Sequence, residues 1–183
     1  MNTALIIIDI QNDYFPNGKM ELNNPEQAAT NAAKALAWFR QHNKDNIFHV
    51  QHLANDPSVG FFLPDTDGAE IYASVAPLGT EDVTVKYAPN SFLNTDLEKK
   101  LKEKNITKLV VVGMMTHMCV DSTVRAAADL GFEVTVLENA CTTLALSYNG
   151  VQLTAEQVHY SYMAGIHGVF AQVISTEDFL SQN

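Results

Sequence analysis

Short apolar runs rich in β-branched residues alternate along the chain with stretches in which apolar residues recur every three or four positions. The runs Thr3 to Ile10, Ile47 to His52, Val83 to Lys86, Lys108 to Gly113, Glu133 to Leu137 and Val169 to Ser175 predict strands. Most are continuous rather than alternating, as in strands covered on both faces. Between them, Ala28, Ala32, Leu36 and Phe39 predict a helix over Pro25 to His42, with Asn24 as N-cap and Pro25 at its first position. Leu93 to Lys104 predicts a shorter helix, and Val120 to Leu130 another that stops at Gly131. Thr154 to His167 is predicted to open with a capping box formed by Thr154 and Gln157. Strands alternating with helices imply right-handed βαβ units, hence an α/β fold with a mainly parallel sheet, helices on both sides and reactive groups at the carboxyl edge. The irregular stretch Asn55 to Ala76 is either a cover for a site or a surface excursion.

Composition narrows the function. The 183 residues, 46% hydrophobic and 17% charged, match one globular domain, expected over 1–183. With 11 basic against 21 acidic residues the formal charge is -10, which disfavours nucleic acid and anionic membranes as partners. No apolar run is long enough to span a bilayer, and no basic leader precedes Leu5, so a cytoplasmic location is expected. The two cysteines, Cys119 and Cys141, are not spaced as a C-x-x-C pair.

Three polar residues fall at expected strand ends: Asp9 after four aliphatics, Lys86 closing its strand, and Cys119 just before the helix beginning near Val120. A thiol at a helix N-terminus, near an ammonium, is biased toward thiolate, and a nearby carboxylate would take its proton. Each residue also has a plainer reading: Cys119 as a small core hydrophobe, Lys86 as a surface lysine, Asp9 as a turn or cap residue.

The stretches Ile8-Asp9-Ile10-Gln11-Asn12-Asp13-Tyr14-Phe15, Val85-Lys86-Tyr87-Ala88-Pro89-Asn90-Ser91-Phe92 with Thr95, and Gly113-Met114-Met115-Thr116-His117-Met118-Cys119-Val120 resemble the isochorismatase-like cysteine hydrolase superfamily, as does Asp121 to Ala127. The resemblance runs over essentially the whole chain. It implies a three-layer α-β-α fold around a six-stranded, doubly wound sheet, and an Asp-Lys-Cys triad falling on Asp9, Lys86 and Cys119. It further implies a cis peptide between Met114 and Met115, with the amides of Met115 and Cys119 as an oxyanion hole. The implied chemistry is acyl transfer through a thioester. A homo-oligomer and a small-molecule substrate are likewise implied.

Relatives that are nicotinamidases carry a metal site built on Asp-x-His. Here the corresponding stretch is Phe48-His49-Val50-Gln51-His52, with Val50 at the Asp position, so no metal and no cofactor are expected. His49 and His52, three apart on a strand, face opposite ways. Retention of a cysteine favours amide, lactam or carbamoyl hydrolysis over vinyl-ether cleavage, most like streptothricin hydrolase. Alternatives are an ester substrate or a non-catalytic binding module. Candidate substrate contacts are Gln11, Phe15, His52, Phe92 and His117, with Phe61, Phe62 and Tyr148 further options; each aromatic could equally be packing.

Overall fold

The computed structural model describes residues 2–182; Met1 and Asn183, where the expected domain ends fall, lie outside them. In chain order the elements are β1 (Thr3–Ile8), α1 (Pro25–His42), β2 (Ile47–His52), β3 (Asp82–Lys86), α2 (Leu97–Glu103), β4 (Lys108–Met114), α3 (Asp121–Asp129), β5 (Glu133–Thr142), β6 (Leu146–Tyr148), β7 (Val151–Leu153), α4 (Ala155–Ile166), β8 (Gln172–Ile174) and α5 (Thr176–Gln182). Six strands make one parallel sheet in the order β3-β2-β1-β4-β5-β8, and β6 and β7 form a separate antiparallel hairpin.

The continuous aliphatics of β1 explain the layering. Leu5 and Ile7 pack with Ala32, Leu36 and Phe39 of α1 and Phe179 of α5. Ala4, Ile6 and Ile8 pack instead with Leu97 and Leu101 of α2, Val124 and Ala127 of α3 and Met163 of α4. Each buried aliphatic contributes roughly 1.5 to 3 kcal/mol, so the run commits β1 to the middle of the sheet. The chain winds outward from β1 through β2 and β3, then returns to lay β4 on the other side of β1. Winding thus reverses between β1 and β4, where the carboxyl ends of an open α/β sheet leave a crevice. The approach there is close: Ile8 is opposite Gly113, whose φ is +146°, and a Cβ on Gly113 would fall 2.2 Å from the Ile8 carbonyl oxygen.

Several boundaries depart from expectation. β1 ends at Ile8, because Asp9 turns to φ 51° and leaves the ladder. The helix expected from Leu93 begins at Leu97, after a turn in which Thr95 Oγ1 donates to the Ser91 carbonyl. The helix expected from Val120 begins at Asp121, preceded by a π-helical turn over Thr116–Val120. β5 runs on to Thr142, past a register shift opposite β4. The last strand is only Gln172–Ile174, since Phe170 and Ala171 amides fold back to the Ile166 carbonyl. The capping box of Thr154 and Gln157 is present, whereas Asn24 holds the N-cap position of α1 without a side-chain cap bond. No helix among the described residues is long and apolar enough to cross a membrane.

Candidate active site

Four sheet strands deliver four side chains to one point. Asp9 follows β1, His52 ends β2, Lys86 ends β3, and Cys119 sits in the π turn that follows β4. Asp9 and Lys86 are both 0% exposed, with Asp9 Oδ2 2.7 Å from Lys86 Nζ. Beyond that ammonium and the Cys119 thiol, no donor among the described residues meets either Asp9 oxygen. Lys86 also donates to the Ala88 carbonyl at 2.9 Å and approaches His52 Nδ1 at 3.0 Å. His52 Nδ1 in turn lies 3.7 Å from Asp9 Oδ2 and 3.8 Å from Cys119 Sγ. The plainer readings of Asp9 and Lys86 fail on this burial: two opposite charges out of water are sustained by one another.

Burial alone would lower the proton affinity of Lys86, but the Asp9 carboxylate and Cys119 outweigh it and the ammonium is favoured. Burial, then the charge of Asp9, push the Cys119 thiol well up, against the pull of Lys86. This corrects the expected bias toward thiolate: Cys119 is buried inside a π turn rather than placed at the N-terminus of a helix. Tyr14, 1% exposed, is raised by burial and then by Cys119 and Asp9, a neighbour that no sequence signal marked. The peptide joining Met114 to Met115 is cis. Within the turn, the amides of Met118 and Val120 both donate to the Met115 carbonyl.

Asp9, Gln11 and Asp13 each hold a different part of the site. The Gln11 amide donates to the His52 and Ala69 carbonyls and accepts from the His52 amide. Asp13 accepts from the Phe62 amide at 2.6 Å and from the Lys19 amide at 3.1 Å. The irregular stretch is therefore tied down, also by Tyr72 N donating to the Ile10 carbonyl. It walls a cleft of about 220 Å3 beside the charged cluster, lined by His52, Ala54, Val59, Phe61, Phe62 and Tyr87 together with Asn55 and Asp56.

Of the expected substrate contacts, His52 and the optional Phe61 and Phe62 line this cleft. Gln11 is corrected: its side chain is fully buried and spent on backbone. Phe15 is corrected likewise, 3% exposed and stacked on Tyr72 at 3.5 Å. Phe92 packs toward Phe132 in the opposite core layer, and Tyr148 stands out on the hairpin. His117 bonds Thr143 Oγ1 through Nδ1 and meets Tyr162 edge-on. Tyr87 was missed, although it follows Lys86 directly. His49 points away, 0% exposed and bonded to Glu81. Cys141, whose thiol burial pushes up to about 12, lies in the core on β5, opposite Gly113 of β4. The described residues hold one set with the makings of a cation site, Asp9, His52 and Cys119, whose ligand atoms lie within 4.8 Å of one another. The Lys86 ammonium already stands against two of them.

A family model described as the isochorismatase domain matches residues 3–178. The uncharacterized isochorismatase family protein YddQ of Bacillus subtilis (strain 168) is 54% identical over 180 residues, 98% of this chain and 99% of that protein. Streptothricin hydrolase of Streptomyces noursei is 30% identical over 141 residues, covering 76% of this chain and 49% of its own. A crystal structure from Oleispira antarctica, provisionally named an isochorismatase hydrolase, superposes with a TM-score of 0.94 at 45% identity, covering 98% of this chain and 96% of that one.

Proposed function

The chain belongs to the isochorismatase family of hydrolases, and from that premise we propose that it cleaves the C–N bond of a small amide, lactam or carbamoyl compound through a thioester on Cys119. The observation that carries this reading is the fully buried Asp9–Lys86 pair at 2.7 Å, set against the Cys119 thiol, with the carboxylate meeting no donor among the described residues beyond that ammonium and thiol. A carboxylate paired with an ammonium and placed against a thiol is positioned to take the thiol's proton.

In the proposed cycle the Cys119 sulfur attacks the carbonyl carbon while its proton passes to Asp9. The amides of Met115 and Cys119 receive the oxyanion; those of Met118 and Val120 are already spent on the Met115 carbonyl. Collapse breaks the C–N bond, and the leaving nitrogen takes the proton from Asp9. Water then adds to the thioester, giving its proton to Asp9; the C–S bond breaks and the sulfur recovers that proton as acid departs. Lys86 supplies the counter-charge beside Asp9 throughout and needs no metal for that role. The raised thiol fits this order, since deprotonation accompanies attack instead of preceding it.

The test is hydrolysis of a panel of small amides, lactams, carbamoyl compounds and matched esters by wild type and Cys119→Ala, with acid products quantified. Turnover confined to C–N substrates and abolished in a folded Cys119→Ala supports the reading. Undiminished hydrolysis by that variant overturns the mechanism, and turnover of esters alone overturns the substrate class.

A further inference from the structure

We propose that His52 is a specificity-determining residue: Lys86 locks it as the Nε2–H tautomer, and that N–H is offered to the cleft as the donor that orients a hydrogen-bond acceptor of the substrate. The proposal rests on the cysteine-hydrolase reading for its chemistry but on independent geometry for its substance.

An ammonium carries donors and no acceptor, so at 3.0 Å His52 Nδ1 accepts a hydrogen bond from Lys86 rather than donating one. Nδ1 faces the buried side, within 3.7 Å of Asp9 and 3.8 Å of Cys119, and the backbone on either side of the ring is clamped by Gln11. A neutral imidazole with Nδ1 accepting carries its one proton on Nε2. Nε2 has no protein partner and is absent from the buried, unpaired polar atoms among the described residues. The side chain as a whole keeps 21% of its surface, and the space it borders is the cleft. Besides His52, Asn55 and Asp56, its one acidic side chain, the walls of that cleft are apolar or aromatic: Ala54, Val59, Phe61, Phe62 and Tyr87. A neutral, compact compound with an apolar body fits it, and the acceptor atom of such a compound finds its fixed donor in His52.

The chemistry separates this role from simple support. A bland structural histidine would affect every reagent reaching Cys119 alike; an orienting donor helps only reagents with an acceptor. The experiment compares alkylation of Cys119 by iodoacetamide, which carries a carbonyl, and by iodoethane, which does not, with peptide mapping to separate Cys141. In His52→Phe the iodoacetamide rate is expected to fall about five- to tenfold relative to iodoethane, the worth of one hydrogen bond. His52→Gln, which keeps an acceptor and an N–H donor, is expected to recover part of the ratio. In parallel, nitrogen-15 NMR of the imidazoles in wild type reads the tautomer directly, with His52→Phe assigning the signals.

A ratio unchanged in His52→Phe, or a wild-type His52 protonated on Nδ1, overturns the proposal. Undiminished amide hydrolysis by Cys119→Ala overturns the cysteine-hydrolase reading instead; with a Cys119 inert to both reagents, the NMR result alone upholds or overturns the proposal.

Discussion

Asp13 Oδ2 and the Phe62 amide meet at 2.6 Å, and through that bond the loop after β1 holds the wall of the cleft. Asp13 is 4% exposed and Phe62 1%, so neither group has water to fall back on. Asp13→Ala leaves the Phe62 amide unsatisfied, an expected loss of about 1 to 3 kcal/mol. The cleft loosens while the charged cluster stands, so KM on any turned-over amide should rise more than kcat falls. Equal loss in both, at unchanged stability, would contradict this.

Lys86→Met strips the counter-charge from a buried carboxylate. Breaking such a pair costs about 3 to 5 kcal/mol, because the remaining charge is out of water. The double variant Lys86→Met with Asp9→Asn should regain much of that stability in denaturant unfolding, yet remain inactive. A double variant no more stable than the single one would show that the pair is not coupled.

Ser91 and Thr123 hydroxyls lie 2.9 Å apart with no surface exposure to speak of, and the Ser91 amide also donates to Thr123 Oγ1. Two of the resembling stretches therefore brace each other, and neither residue touches the cleft. Thr123→Val should cost about 1 to 3 kcal/mol in unfolding free energy while leaving kcat within twofold or so.

Glu81 joins Arg40 of α1 at 2.7 Å to His49 of β2 at 2.9 Å. Burial would raise its carboxyl, but Arg40, the Leu78 amide and His49 hold it down at about 2. A depressed folded-state value means the stabilisation is complete above the ordinary glutamate range and is lost as pH falls from there toward 2. Glu81→Gln should be less stable than wild type at pH 7, and the two midpoints should converge as acid is added. Parallel curves down to pH 2 would rule out the linkage.

The sheet was legible because β1 and β4 carry continuous aliphatic runs that only a doubly covered strand can use, and the expected triad positions stood at the ends of β1, β3 and β4. The pocket was not legible in the same way. Gln11 and Phe15 share a motif with Asp9, yet period and proximity in sequence do not say which polar group will be spent on backbone or which ring will stack in the core. Phe61 and Phe62 were marked only as options, since the stretch that holds them has no period. What organises it is the side chain of Asp13 from far upstream and the bare backbone of Gly68, where a Cβ would meet the Asp13 carboxylate at 2.2 Å. Cys119 was read at a helix N-terminus, just before Val120, with no signal for the π turn that buries it, and that reversed the sense of its proton affinity.

The reversal of winding between β1 and β4 has a consequence for the chain as it is synthesised. Asp9, His52 and Lys86 emerge on the first half, but the strand that closes the crevice beside β1 and the cysteine that follows it come only afterwards. A nascent chain halted after β3 holds a charge pair with one wall missing and no sulfur to activate. Under the proposed mechanism, hydrolytic competence therefore arrives only with the docking of β4, and a chain truncated before β4 is silent rather than partly active.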